Sequence, residues 1–165
     1  GALSMMAIDN IRIEMSSPEP PVTDGSAKVF CELLEQAEPV AQEAERKVYA
    51  VSKSFSVYDG DRFMVVLPYD GYRVSFTSIN SHPMLGTQYF DIELDKENVV
   101  VFDEEKILSV PRFDNELIRH KILDAVGDLY LLGPIKAHVI CVKTGHAFNS
   151  AIAKQIQAYR TKEEK

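Results

Sequence analysis

The chain has 165 residues, enough for one domain of ordinary size or one domain plus part of another, and its 45% of apolar residues can bury a real core. A net charge of -7 argues against a nucleic-acid surface, which needs clustered Lys and Arg. No run of about 18 apolar residues occurs, so no membrane span is expected, and residues 2–8, ALSMMAI, are too short and lack the basic flank of a signal peptide. Cys31 and Cys141 are isolated in sequence and read as reduced, buried thiols of a cytoplasmic protein.

Residues 8–15, IDNIRIEM, alternate apolar and polar side chains and are predicted to form a strand. A proline-rich connection follows over 16–21. Thr23-Asp24-Gly25-Ser26 is then a turn opening a helix over 27–37. Asp24 and Ser26 are candidate polar site residues, although turn and cap chemistry explains them more cheaply. The charged stretch 41–46 is a linker and a candidate boundary between a short first segment, 1–44, and a main domain, 45–165.

The main domain opens with strands. Residues 48–58, VYAVSKSFSVY, alternate and end in Asp59-Gly60-Asp61, a strong hairpin signal. Residues 62–68 return, and Tyr69-Asp70-Gly71 turns into 72–79, which predicts a three-stranded meander. Further strands are expected at 88–94 and 99–102, the second ending at the Asp103-Glu104-Glu105 turn. Residues 135–143, IKAHVICVK, form a buried strand with Thr144-Gly145-His146 at its end. An amphipathic helix follows over 147–159, and 161–165 is a charged tail expected to fray.

The central feature is residues 113–133, FDNELIRHKILDAVGDLYLLG, which read as one helix. Asp114 is the expected N-cap, Glu116 suits the first turn, and Gly133-Pro134 ends it. Ile118, Ile122, Ala125, Val126, Leu129 and Leu132 make the apolar stripe, and His120, Asp124 and Asp128 fall nearly opposite. Leu117, Leu123, Tyr130 and Leu131 cover the remaining sides, so the helix is expected to be buried between two layers with its His-Asp-Asp row in the interior or in a cleft. The fold class is α+β, an antiparallel sheet with two helices packed on one face.

Residues four apart on a helix are neighbours, so His120 and Asp124 are spaced to grip one cation through an imidazole nitrogen and a carboxylate oxygen. A helix-surface ion pair is the competing reading. Among the other histidines, His138 in mid-strand and His82 before Pro83 read as structural. His146 follows Gly145 at a strand end ahead of a helix, where a polar side chain reaches a cleft.

RHKILDAVGDLYLLG followed by KTGHAFN resembles the zinc-dependent UDP-3-O-acyl-N-acetylglucosamine deacetylases of lipid A synthesis, as does the opening AIDNIRIEM-SSPEPPVTDGSA. The resemblance implies that His120 and Asp124 match two zinc ligands. It implies that His146 matches the protonated histidine that stabilises the tetrahedral oxyanion and protonates the leaving amine, with Asp128 as its carboxylate partner raising its pKa. Lys121 and Lys143 match basic residues that line the groove for the nucleotide-sugar portion of a UDP-linked acylated amino sugar. It further implies that residues 1–44 are the end of the family's first domain (strand, turn, helix) and 45–165 its second, which packs helices-inward on the first.

The sequence also departs from the family pattern. The third zinc ligand and the glutamate base lie in a T-V-E-H-L-type motif expected just before Ala2-Leu3-Ser4, and the sequence holds no H-x3-H, H-E or E-H pair. Between Asp95 and Val99 the family carries a βαβ insert where this chain has only DKEN. The expectation is therefore a shortened family member with an incomplete zinc site and no deacetylation on its own. The alternative is a non-catalytic module of the same fold that binds nucleotide sugars.

Overall fold

The computed structural model describes residues 1–23, 25–81, 86–94 and 115–163. In chain order the elements are α1 (Ala2–Met5), α2 (Lys28–Gln36), β1 (Tyr49–Ala50), β2 (Phe55–Asp59), β3 (Arg62–Leu67), β4 (Tyr72–Ile79), β5 (Thr87–Glu93), α3 (Glu116–Leu129), β6 (Ile135–Val142) and α4 (His146–Glu163). A 3-10 turn, Tyr130–Leu132, joins α3 to β6. The fold is α+β: among the described residues, one open six-stranded sheet with α3 and α4 on the same face.

Sheet order is β2-β3-β6-β4-β5, with β1 also paired to the start of β6. Strands β2 and β3 form the predicted hairpin, and Gly60 takes the left-handed φ of 62° that its tight loop requires. The expected meander does not continue. Strand β6 lies between β3 and β4, antiparallel to the first and parallel to the second, so the sheet is mixed. The physical reason is apolar content. Ile135, Ala137, Val139 and Cys141 of β6 are all buried, and a strand that apolar on one face gains most at the centre of the sheet.

These four side chains face Met64 and Val66 of β3 and Val74 and Phe76 of β4 along one surface. On it sit Ile118, Ile122, Val126 and Leu129 of α3 together with Phe148, Ile152 and Ile156 of α4. Burying each such side chain contributes about 1.5–3 kcal/mol, which makes this layer the seat of stability. Helix α4 runs through to Glu163, past the end expected for it, because its far turn is tied down: Tyr49 and Ser52 donate to the Glu163 carboxylate, and Arg160 donates to the carbonyl of Leu132. The frayed tail predicted from 161 is thus helical as far as Glu163.

Two other expectations change. Residues 8–15 form no strand, and Ile11, Ile13 and Met15 are exposed. Alternation makes a strand only where a neighbour satisfies its backbone, and no other strand lies beside this segment among the described residues. Helix α3 is buried on its stripe but not all round: Leu131 at its end is 90% exposed, and the face carrying His120 opens to solvent. Its N-cap is Asn115. Asp114, Asp24, His82, Glu104, Glu105 and the strand expected at 99–102 lie outside the described residues.

Candidate active site

Three elements bring the polar groups together. Helix α3 carries His120, Lys121, Asp124 and Asp128, the strand β6 delivers the turn Lys143-Thr144-Gly145, and α4 begins at His146. The two helices pack side by side because both apolar stripes seek the same sheet face. Their polar flanks consequently meet at the start of α4. Lys143 turns the chain there with a left-handed φ of 55°, a conformation uncommon outside glycine that is found where a structure over-determines it. The start of α1 crosses α3 over Leu123 and Gly127. A β-carbon at Gly127 would lie 2.6 Å from the Gly1 nitrogen, so this approach needs glycine.

His146 Nδ1 donates to Asp128 Oδ2 at 2.6 Å, and Asn149 Nδ2 donates to the same oxygen at 2.8 Å. His146 Nε2 stands 3.9 Å from Asp124 Oδ2. Asp124 Oδ1 lies 3.5 Å from His120 Nε2, and its Oδ2 is 3.5 Å from Lys121 Nζ. Asp124 is the sheltered member, its side chain 15% exposed against 49% for His120 and 68% for His146. The row is therefore partly exposed and does not lie in the interior, one of the two placements that the apolar circumference of α3 suggested. Asp128 also sits beside the N-terminal turn of α4, where free backbone N–H groups favour a carboxylate.

The hydrogen bond to Asp128 raises the pKa of His146 above the ordinary histidine value. The Coulombic attraction of Asp128 adds to this, burial opposes it, Asp124 assists and Lys121 detracts. The imidazole is thus biased toward the charged form, with Nδ1 fixed on a carboxylate and Nε2 facing the Asp124 side. Lys143 does not reach this pair. Its ammonium is bound to Asp61 in the β2–β3 loop, and Nε of Arg62, the first residue of β3, donates to the Lys143 carbonyl at 3.1 Å. Arg62 also lies 4.9 Å from the Phe148 ring centroid. Asp61 and Asn149 are the site neighbours that the sequence reading missed. Asp61 looked like a turn residue, while Asn149 three residues after His146 carried a usable signal, because i and i+3 share a helix face.

A tetrahedral zinc with nitrogen and oxygen ligands at about 2.0–2.1 Å holds neighbouring donors about 3.3 Å apart. His120 Nε2 and Asp124 Oδ1, at 3.5 Å, fit one edge of such a site. Among the described residues no three His, Cys, Asp or Glu side chains form a group able to hold a metal, so these residues offer two donors there. His138 is remote from all of this, on the open face of the sheet. Its Nε2 meets Ser75 Oγ at 2.7 Å, Ser75 donates to Asp91, and Arg73 pairs with Asp91. Burial first, then Arg73, push its pKa down. It is structural, as the sequence suggested.

An α+β layer with a His–carboxylate cluster where two helices flank a strand end is a scaffold suited to acid–base and metal chemistry. The model of the LpxC family, UDP-3-O-acyl N-acetylglycosamine deacetylase, matches residues 1–98 and 94–158, and the chain belongs to that family. A UDP-3-O-acyl-N-acetylglucosamine deacetylase of Myxococcus xanthus is 34% identical over 193 residues, covering 95% of this chain and 62% of the relative. One from an Anaeromyxobacter species is also 34% identical, with 95% and 64% covered. One from Xylella fastidiosa is 31% identical, with 97% and 65% covered. The chain thus spans a little under two thirds of the length of the relatives it matches. The aligned stretch of 193 residues is longer than the 165 of this chain, so the relatives hold internal residues that it lacks, and the two matched segments of the family model meet at 94–98. Among the described residues no helix is long and apolar enough to cross a membrane.

Proposed function

We propose that this chain carries the second-domain half of a zinc-dependent deacetylase site that removes the acetyl group from a UDP-linked 3-O-acyl-N-acetylglucosamine in lipid A synthesis. The observation that carries the proposal is the linked cluster His120–Asp124–His146–Asp128, with contacts of 3.5, 3.9 and 2.6 Å on a chain of this family. His120 and Asp124 would hold zinc by two vertices. Zinc, when bound, supplies Lewis-acid polarisation of the acetamide carbonyl.

This chain's own residues have distinct tasks. Asp128 holds His146 by Nδ1 and keeps it charged. His146 offers its Nε2 proton to the amine nitrogen that leaves as the amide bond breaks, and its charge favours the tetrahedral oxyanion. Lys121 lies on the same helix face as His120 and Asp124, and Lys143 at the end of β6 lines the approach for the anionic nucleotide sugar. The proposed division places residues 1–44 in the end of a first domain and 45–165 in the second, with an internal insert shortened near residue 95. The overlap of the two matched segments at 94–98 supports that shortening. Two cysteines that form no disulfide suit a cytoplasmic setting.

A second reading has its own support. Among the described residues two metal donors are present and no glutamate base lies in the cluster, so the same surface without chemistry would be a nucleotide-sugar-binding module. The experiment is acetate release from the acylated UDP-sugar by the zinc-saturated chain, beside a full-length relative and a direct measurement of UDP-sugar binding. Lack of a general base typically costs about 10²–10⁴-fold. The expected result is binding weakened by Lys143→Ala with turnover at least that far below the relative. Turnover equal to the relative would mean that another carboxylate acts as base, and absence of UDP-sugar binding would remove both readings.

A further inference from the structure

Asn149 lies in the first turn of α4, three residues after His146 and on the same side of the helix. It is 1% exposed. Its Nδ2 donates at 2.8 Å to the Asp128 oxygen that also accepts from His146 Nδ1. Its Oδ1 is buried and has no hydrogen-bond partner. The amide orientation is forced, because turning it would set Oδ1 against the carboxylate, acceptor to acceptor. Packing alone is better served here by an apolar side chain, since an orphaned buried carbonyl is destabilising. A buried amide that leaves one end unsatisfied while spending the other on Asp128 fits a role in holding that carboxylate.

We propose that Asn149 is a positioning residue that locks Asp128 in the rotamer that presents Oδ2 to His146 Nδ1. Asp128 is only half-buried, and without this second bond its carboxylate turns toward water. His146, mostly exposed, then loses its fixed partner and samples several ring orientations. The catalytic meaning of the lock rests on the proposed role of His146 as the site acid, while the lock itself is a property of the folded chain.

The test is solution NMR of the chain with ¹⁵N-labelled histidine, comparing the parent with Asn149→Leu and Asn149→Asp. Leucine keeps the volume and removes both donor and orphaned acceptor, and aspartate keeps the shape but replaces the donor with an acceptor. Asn149→Leu is expected to melt within about 4 °C of the parent, the shift that a small change in stability produces in a chain of this size, and Asn149→Asp, which sets a second buried carboxylate against Asp128, is expected to melt lower. Each variant is also expected to exchange the His146 Nδ1 proton with water at least ten-fold faster. An unchanged Nδ1 proton in a folded variant overturns the proposal, whatever its melting temperature. Failure of both variants to fold also overturns it, by making Asn149 a structural residue. If the leucine variant alone fails to fold, the aspartate variant decides. Absence of zinc binding or of UDP-sugar binding by the parent chain would count against the proposed function and leave the Nδ1 comparison unaffected.

Discussion

Asp128 is the residue on which the site's charge state turns. Its bond to His146 raises that histidine's pKa, whereas burial and Arg73 lower that of His138. NMR titration should therefore find His146 above and His138 below the ordinary value of about 6.5. Asp128→Asn should bring His146 down toward that value and leave His138 where it is. An unmoved His146 would mean that the pair does not persist in solution. The two histidines also act oppositely on stability. His146 binds its proton more tightly folded than unfolded, so its contribution is complete below about pH 6.5 and is lost as pH rises through its raised pKa. His138 contributes above about pH 6.5, and its contribution is lost as pH falls through its lowered pKa. The His120–Asp124 spacing and the place of His146 at a strand end could both be read from sequence, because i,i+4 geometry and a Gly-His turn are local. That Lys143 is held by Asp61 could not be read, because the two lie 82 residues apart and meet only when β6 joins β3.

Helix α3 has two faces with different tasks, and substitutions should separate them. Ile122 is fully buried against the sheet, so Ile122→Ala should cost about 2–5 kcal/mol in chemical denaturation. His120 on the open face is half-exposed, and His120→Ala should change stability by no more than about 0.5 kcal/mol. Equal costs would mean that the histidine face is covered in solution. Amide exchange offers a second check: protection should be high over 118–129 and absent over 8–15, where no strand among the described residues pairs the backbone. The stripe of α3 and the strands β2 to β5 were legible because periodicity reports which side chains are buried. The position of β6 was not, since pairing order depends on which strand is most apolar once all have formed. The burial of α3 was overestimated because leucines flanking the His-Asp-Asp row suggested a second covering layer, and Leu131 stands in solvent instead.

At the scale of the molecule, family membership and the linked cluster support one account: a sheet with two helices that presents half of a deacetylase site along the edge where those helices meet. Its central claim is that His120 and Asp124 together hold zinc. Equilibrium zinc titration of the purified chain, with His120→Ala and Asp124→Ala alongside, tests it most directly. The account predicts one zinc per chain, with affinity at least ten-fold lower in either variant, because loss of a direct ligand should cost no less than the 10–100-fold typical of losing an outer partner. A parent chain that binds no zinc, or variants that bind it as tightly as the parent, would contradict the account.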